Sequence, residues 1–314
     1  MRENTASMYP TVTDYDILNI SLPLVPKVLQ KIISTCIERS IIKLHKSKKS
    51  YKQAQELLIK TLGFNDFETK ETLNYQEITL SNSFNLTTRL DAEYYHPKPL
   101  FLINQLKKKD FYLVKELFEI GNGYAWKSSF FKEQGDGEPF VRIRDCKPGY
   151  IDSTTLTTLD SDYANSEKVE KAKENDIVIG MDGIKYFYGS LIKEPVYVNQ
   201  RVCHLKPKGN SKIDSELVLM IINSVIGQTQ LMREMTIAQT VGHITNTSIG
   251  NLIIPKLDEN IRNKITSKIK ASHLLEKESL HLLEVAKTAV EIAIEQNEEI
   301  SLEYINSNTS NYAS

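Results

Sequence analysis

The stretch "GNLIIPKLDENIRNKITSKI", Gly250 to Ile269, opens a long helical pattern near the carboxyl end, and "LNISLPLVPKVLQKIISTCI", Leu18 to Ile37, opens another near the amino end. Set 232 positions apart, the two align without a gap: Asn19 falls on Asn251, Pro23 on Pro255, Ile33 on Ile265, Ile37 on Ile269 and Ala54 on Ala286. The match reaches upstream, where Val12, Thr13 and Ile17 fall on Ile244, Thr245 and Ile249. A period this long excludes a solenoid or propeller unit. It reads as the ending of one module written twice, with a whole module between the copies.

Outward from this repeat, the apolar residues from Pro26 to Leu62 recur at helical spacing. Val28, Leu29, Ile32, Ile33, Ile37, Ile41 and Ile42 are followed by Leu57, Leu58 and Leu62, and Gly63 stands as a stop. This predicts one helix over 26–63, polar and basic in its middle at "HKSKKSYKQAQ". The carboxyl pattern runs from Asp258 to about Gln296, with Leu275, Leu282 and Ala289 seven apart and Ala286 and Ala293 beside them, the spacing of a coiled-coil seam. Long helices need a partner to cover their stripe. The two are therefore expected to pack on each other or on copies in a second chain.

Residues 64–110 are rich in Thr, Asn and acidic groups and read as a connector with little regular structure before a short helix near Pro99 to Lys107. From Phe111 to about Ile254 the texture changes. "PFVRIRD", "DIVIGMDG", "YGSLI" and "YVNQRVCHLKP" are β-branched or aromatic runs broken by Gly, Pro and Asp. Asp214 to Met235 reads as a helical segment closing one side of the sheet. The expected fold class is α+β, one mixed α/β domain flanked by long coiled-coil helices.

Composition agrees with a globular chain: of 314 residues, 40% are hydrophobic and 25% charged. No apolar run has the length of a membrane span or signal peptide, which points to a cytoplasmic protein. Cys36, Cys146 and Cys203 are odd in number and widely separated, so a disulfide framework or a paired-cysteine zinc site is not expected. A net charge of −1 excludes a globally basic nucleic-acid binder but allows a local basic surface.

"NGYAWKSSFF", "EPFVRIRDCKPGYID", "KENDIVIGMDG", "VNQRVCHLKPK" and "TIAQTVGHITNTSIGNLIIPKLDENIRNKI", in that order between two helices, resemble the specificity (S) subunit of type I restriction-modification systems. "SYKQAQELLIKTLGF" and "RLDAEYYHPK" look like the end of one spacer and the entrance to the next recognition domain. The resemblance implies a half-length arrangement. Residues 1–25 would be the tail of a preceding recognition domain, 26–63 a first spacer helix, 64–254 the connector and target recognition domain, 255–300 a second spacer helix, and 301–314 a disordered tail. It further implies a homodimer through the spacers, or a fragment exchanged by recombination. Two domains held by helices of roughly 55 Å would read half-sites more than one DNA turn of roughly 34 Å apart. A symmetric pair would read a gapped palindrome.

Duplex recognition needs cations and hydroxyls for phosphates, and planar polar groups for base edges in the major groove. The candidates are Lys127, Ser128 and Ser129 of "AWKSSF"; Arg142 and Arg144, expected on one strand face, with Asp145; Asp182, Lys185, Tyr186 and Tyr188 of "MDGIKYFYG"; Gln200 and Arg201; and Gln239, Thr240 and His243. Each of these residue types also serves as an ordinary solvated surface group. Trp126 reads as core or domain-edge anchor, because a duplex reader needs no stacking platform. His273 and His281 read as solvent or packing residues.

The sequence contains no phosphate loop, no metal-spaced cysteine or histidine pair and no nucleophile elbow. It also lacks the Gly-rich and N-P-P-Y motifs of adenine methyl transfer. The one Glu-x-Lys, Glu68 to Lys70, lies in the connector. The expectation is a non-enzymatic reader with no cofactor of its own. The resemblance implies S-adenosylmethionine on partner modification subunits, which would dock on Lys43 to Lys52 and the carboxyl helix and recruit restriction subunits. The competing reading is a coiled-coil decoy or scaffold that binds modification subunits without reading DNA; a degraded nuclease is third.

Overall fold

The computed structural model describes residues 12–21, 23–67, 77–86, 89–132, 136–209, 213–238 and 241–309. In chain order the helices are α1 (Asp14–Leu18), α2 (Lys27–Leu62), α3 (Leu80–Leu86), α4 (Pro97–Leu106), α5 (Val114–Leu117), α6 (Ser161–Ser166), α7 (Ser215–Asn223), α8 (Val225–Glu234), α9 (Asn246–Gly250), α10 (Glu259–Glu295) and α11 (Glu298–Thr309). The strands are β1 (Phe111–Leu113), β2 (Phe118–Asn122), β3 (Phe131–Lys132), β4 (Glu138–Val141), β5 (Thr158–Leu159), β6 (Ile177–Gly180), β7 (Asp182–Gly183), β8 (Gly189–Leu191), β9 (Tyr197–Val198), β10 (Val202–Pro207), β11 (Thr236–Ala238), β12 (Val241–His243) and β13 (Ile253–Pro255). They divide into two compact units, Met1–Tyr51 with Lys270–Ser314, and Lys52–Ile269. The class is the expected one, a mixed α/β domain flanked by long helices.

In the first unit α2 and α10 run antiparallel, because partners descend along one helix as they ascend along the other. The Ser40 hydroxyl donates to the Ser279 carbonyl and the Ser279 hydroxyl donates to the Ser40 carbonyl, both at 2.8 Å. One heptad on, Ser272 donates to the Ser47 carbonyl at 2.9 Å. Between these rungs Lys43 Nζ sits 2.6 Å from Glu278. Leu29, Ile33 and Cys36 pack with Val285, Ala286, Ala289 and Ile305. The repeat now has a geometric meaning. Ser40 and Ser47 become Ser272 and Ser279 under the same 232-residue offset, so the two rungs exchange under a local two-fold axis passing near Lys43 and Leu275.

The apolar stripe read from α2 is only partly the buried one. Leu29, Ile33, Leu58 and Leu62 are buried, but Val28, Ile41 and Ile42 are half exposed or more, while Ser40 and Ser47 are buried. Serine is small enough to let the backbones approach and satisfies its hydroxyl on the facing carbonyl. The carboxyl end also differs from the expected disordered tail. Ser301 and Ile305 of α11 are buried, and the Ser301 hydroxyl donates to the Ala289 carbonyl at 2.7 Å.

In the second unit the central sheet has strand order β2-β10-β6-β8, all antiparallel. The core gathers Val141, Ile151, Val178, Ile192, Val198 and Val202. The expected single helix over 214–235 is two. Ser224 ends α7 by donating its hydroxyl to the Ile221 carbonyl and begins α8 by accepting from the Ile226 amide. The connector is more ordered than expected, holding α3, α4 and a short 3₁₀ turn at Ala92–Tyr95. Arg89 explains part of this. Its guanidinium pairs with Asp91 at 2.7 Å and donates to the Glu234 and Met235 carbonyls, and Arg89 and Arg233 both lie over the Tyr94 ring.

After the domain, α9 and β13 close it. β13 pairs antiparallel with β1, and the Val114 amide donates to the Leu252 carbonyl at 3.1 Å. The buried Gln230 side chain grips the Ile253 backbone, accepting from its amide at 2.8 Å and donating to its carbonyl at 3.2 Å.

Candidate nucleic-acid interface

The turn between β9 and β10, Asn199, Gln200 and Arg201, organises the candidate loops through its backbone. The Asn199 amide donates to the Val141 carbonyl at 2.9 Å, which fixes the chain leading into Arg142. The Gln200 amide donates to the Tyr124 carbonyl at 3.0 Å, fixing the strand end that leads into Lys127. The Arg201 carbonyl accepts from the Met181 amide at 3.0 Å, fixing Asp182. Three segments distant in sequence thus meet at one three-residue turn with exposed Gln200 and Arg201 side chains.

The tightest side-chain group is Asp182, Arg201 and His243. β12 pairs with β7 so that His243 lies opposite Asp182 and Gly242 opposite Gly183. His243 Nδ1 is 2.6 Å from Asp182 Oδ1, and Arg201 Nη1 is 3.8 Å from Asp182 Oδ2. A glycine is needed at 242, since a Cβ there would fall 2.8 Å from the Gly183 carbonyl oxygen on the paired strand. The Asp182 carboxylate therefore lies beside both an imidazole and a guanidinium. Beyond it the loop carries exposed Ile184, Lys185 and Tyr186. The Tyr186 and Tyr188 rings stack at 5.1 Å and 10°. Burial, and then the neighbouring Tyr186, raise the pKa of the Tyr188 hydroxyl, keeping it a neutral donor.

Lys127, Ser128 and Ser129 are exposed at the start of a 3₁₀ turn, and the Lys127 amide donates to the Tyr163 hydroxyl. Trp126 beside them is buried, donating its indole N–H to the Val198 carbonyl at 3.0 Å within a cluster of Phe140, Leu159, Ala164 and Tyr197. It is an anchor and not a stacking platform.

Arg142 and Arg144 do not share a strand face. β4 ends at Val141, and Ile143–Asp145 is a 3₁₀ turn closed by the Asp145 carboxylate, which accepts from the Arg142 amide at 2.8 Å. Arg142 is half-buried over the Phe131 ring, whereas Arg144 is exposed with Nη2 2.5 Å from Thr157 Oγ1. Asp145 is thereby a local fold-holding group. Gln239 and Thr240 lie outside the described residues.

A cavity of about 460 Å³ lies against this loop, lined by His96, Lys98, Lys185, Tyr186, Tyr188 and Gln228 among others. His96 and Lys98 were not among the candidates. They sit far away in the connector, and nothing short of the tertiary fold brings them to Lys185. Lys98 also faces the Phe67 ring at 5.3 Å. His273 lies beside the Tyr51 ring and His281 Nε2 is 3.0 Å from the Asn308 carbonyl, so both have packing contacts. Among the described residues no group of three His, Cys, Asp or Glu is placed to hold a metal ion, and no helix is long and apolar enough to cross a membrane.

A compact α/β domain that projects cations, hydroxyls and amides from gathered loops, and is carried on long helices, defines a class of polar-surface recognition modules. Comparison with known proteins makes this specific. The family model described as "Type I restriction modification DNA specificity domain" matches residues 107–281, more than half of the chain, and the chain belongs to that family. It is 27% identical over 137 residues to the type I restriction enzyme EcoBI specificity subunit of Escherichia coli, a match covering 43% of this chain and 26% of that protein. The match thus spans about a quarter of that relative's length. Among solved structures it is similar to the HsdS subunit from Thermoanaerobacter tengcongensis, with TM-score 0.40, 14% identity and coverage of 94% of this chain and 65% of that one. It is also similar to a type I restriction-modification S subunit from M. genitalium, with TM-score 0.41, 12% identity and coverage of 96% and 67%.

Proposed function

We propose that this chain is a non-catalytic DNA-reading subunit that directs adenine methylation and restriction by partner subunits to a bipartite site. The observation that supports the reading is the Asn199–Arg201 turn, whose backbone holds the segments leading into Lys127, Arg142 and Asp182. Cations suit phosphates, and Gln200 with the Asp182-braced Arg201 suits base edges. S-adenosylmethionine would be bound by the modification subunits, docked on the basic stretch Lys43 to Lys52 and on α10.

A bipartite site needs two recognition domains. A second copy of this chain would supply an identical domain and a gapped palindrome; a different domain would supply an asymmetric site. The test is mapping of methylated adenines in cells holding an active modification subunit, with and without this chain. A motif that appears only with the chain establishes the reading. No motif, where the same modification subunit methylates with another S subunit, overturns it in favour of the decoy. Binding to the mapped motif should weaken steeply as salt rises, because phosphate contacts release counterions.

A further inference from the structure

The cavity of about 460 Å³ beside the 182–188 loop is walled by two segments that α7 and α8 hold in place. On one side, Gln228 Oε1 accepts from the Phe187 amide at 2.9 Å while its Nε2 donates to the Phe187 carbonyl at 3.1 Å. Asn223 grips Gly189 in the same way, accepting from its amide at 2.9 Å and donating to its carbonyl at 3.0 Å. The Phe187 ring is buried in the fold, and the residues flanking it, Tyr186 and Tyr188, line the cavity with their rings stacked. On the other side stands the start of α4. Arg233 fastens this connector to α8, its Nε donating to the Tyr94 carbonyl at 3.0 Å and its guanidinium lying 3.7 Å from the Tyr94 ring centre. One face of α8, Val225 to Met232, makes the floor. A concavity with walls pinned in this way is pre-formed for a ligand, and its volume suits one molecule of drug size.

The charged lining is of one sign. Lys98, Lys185 and His96 reach the cavity, and among the described residues that line it there is no carboxylate. Lys185 is exposed, with no ion-pair partner among the described residues. The His96 ring is oriented by capping α4: its Nδ1 accepts from the Lys98 amide at 3.2 Å, so the neutral ring carries its proton on Nε2 as a donor. Cations gathered in one concavity attract a counter-ion. Beside them stand flat and apolar surfaces, the tyrosine stack with Pro99, Val225 and Met232, and an aromatic face accepts a further planar ring. Inorganic phosphate would leave the apolar walls unused, and a neutral aromatic would leave the ammonium groups unanswered.

We propose that this cavity is a nucleotide site, in which a base stacks on Tyr186 and the phosphate lies among Lys98, Lys185 and the His96 Nε2–H. The same chemistry comes from two sources, a free mononucleotide or an unpaired nucleotide of a DNA strand. The inference rests on the lining of the cavity and not on duplex reading, so either can fail alone.

The test is titration of the full chain, methyl-labelled at valine, threonine and methionine, with adenosine 5′-monophosphate, adenosine, inorganic phosphate and a short single-stranded oligodeoxyadenylate. The monophosphate should shift the Val225, Thr229 and Met232 methyls to saturation, with an affinity roughly tenfold or more above that of adenosine or phosphate. Tyr186→Ala and Lys185→Glu change exposed positions and should leave the melting midpoint near that of the parent. Each should weaken binding by roughly tenfold, and Tyr186→Phe, which keeps the stacking face, should retain it. If Tyr186→Ala lowers the midpoint, Lys185→Glu decides. Saturable shifts from the oligonucleotide alone, lost in the same variants, support the site and assign its nucleotide to a strand. No saturable shift from either nucleotide up to about 5 mM overturns the proposal. Adenosine or phosphate binding as tightly as the monophosphate also overturns it, as does monophosphate binding that Tyr186→Ala and Lys185→Glu leave unchanged.

Discussion

At the residue scale, burial and exposure separate groups that look alike in one dimension. Trp126→Ala should cost about 3–5 kcal/mol, read by chemical denaturation, since it empties an aromatic cluster and removes one of the two hydrogen bonds to the Val198 carbonyl. Arg201→Ala should leave the melting midpoint nearly unchanged and lower affinity for the mapped motif by roughly tenfold. If Arg201 meets a phosphate, the logarithmic salt slope falls by about 1; if it meets a base, discrimination at one position relaxes instead. The cysteines give a pH prediction. Burial pushes the Cys203 thiol from its ordinary value of 9.0 up to about 12, and burial with the nearby Asp145 charge pushes Cys146 up as well. The native state then keeps protons that the unfolded chain releases. The resulting stability is whole below pH 9 and is lost as pH rises towards 12. Iodoacetamide should label neither thiol in the native chain at pH 8 and both after unfolding. Their role as packing residues was legible from their odd number and wide spacing, and that of Trp126 from the absence of any need for a stacking platform in a duplex reader. The joining of Asp182, Arg201 and His243 was not, because it depends on the β7–β12 pairing between residues some 60 positions apart.

At the scale of elements, the pattern located the two long helices but misjudged what lies between them. A reading of hydrophobic period credits leucine and isoleucine and passes over serine, yet beside the apolar cluster the α2–α10 contact is made through Ser40, Ser47, Ser272 and Ser279. Ser40→Ala should cost about 1 kcal/mol, the scale of one net hydrogen bond. Ser40→Leu should cost 1–3 kcal/mol or more, because the facing backbone leaves no room. The order of the two, leucine worse than alanine, is what thermal unfolding has to reproduce. An ordinary exposed position would give the opposite order, since leucine is a good helix former. "VRIRD" failed as a strand for a comparable local reason. The Asp145 side chain captures the Arg142 amide and turns the chain after Val141, a competition between side chain and backbone that period-two alternation does not register.

For the whole molecule, the repeat is the feature the sequence displayed most openly, and it constrains partners as well as fold. Under the two-fold relation between α2 and α10, residues that exchange present equivalent surfaces. Ile42 and Leu274 are such a pair, 232 positions apart, and they are 52% and 59% exposed. A partner that recognises one face should find a similar face on the other side, so under the proposed function the helices are expected to take two copies of a modification subunit. The local environments differ, however. Leu280 stands where the first copy has Lys48, and His273 where it has Ile41, so the two sites should differ in affinity. Ile42→Asp and Leu274→Asp should each leave one copy bound, and the double substitution none, as counted by native mass spectrometry of the reconstituted complex. A large apolar residue at a protein contact loses 1–3 kcal/mol or more on such a change, a drop of tenfold or greater in affinity for the altered face alone. Loss of both copies from either single substitution would mean one continuous partner surface, and the symmetry of the helices would then serve the fold without setting the stoichiometry.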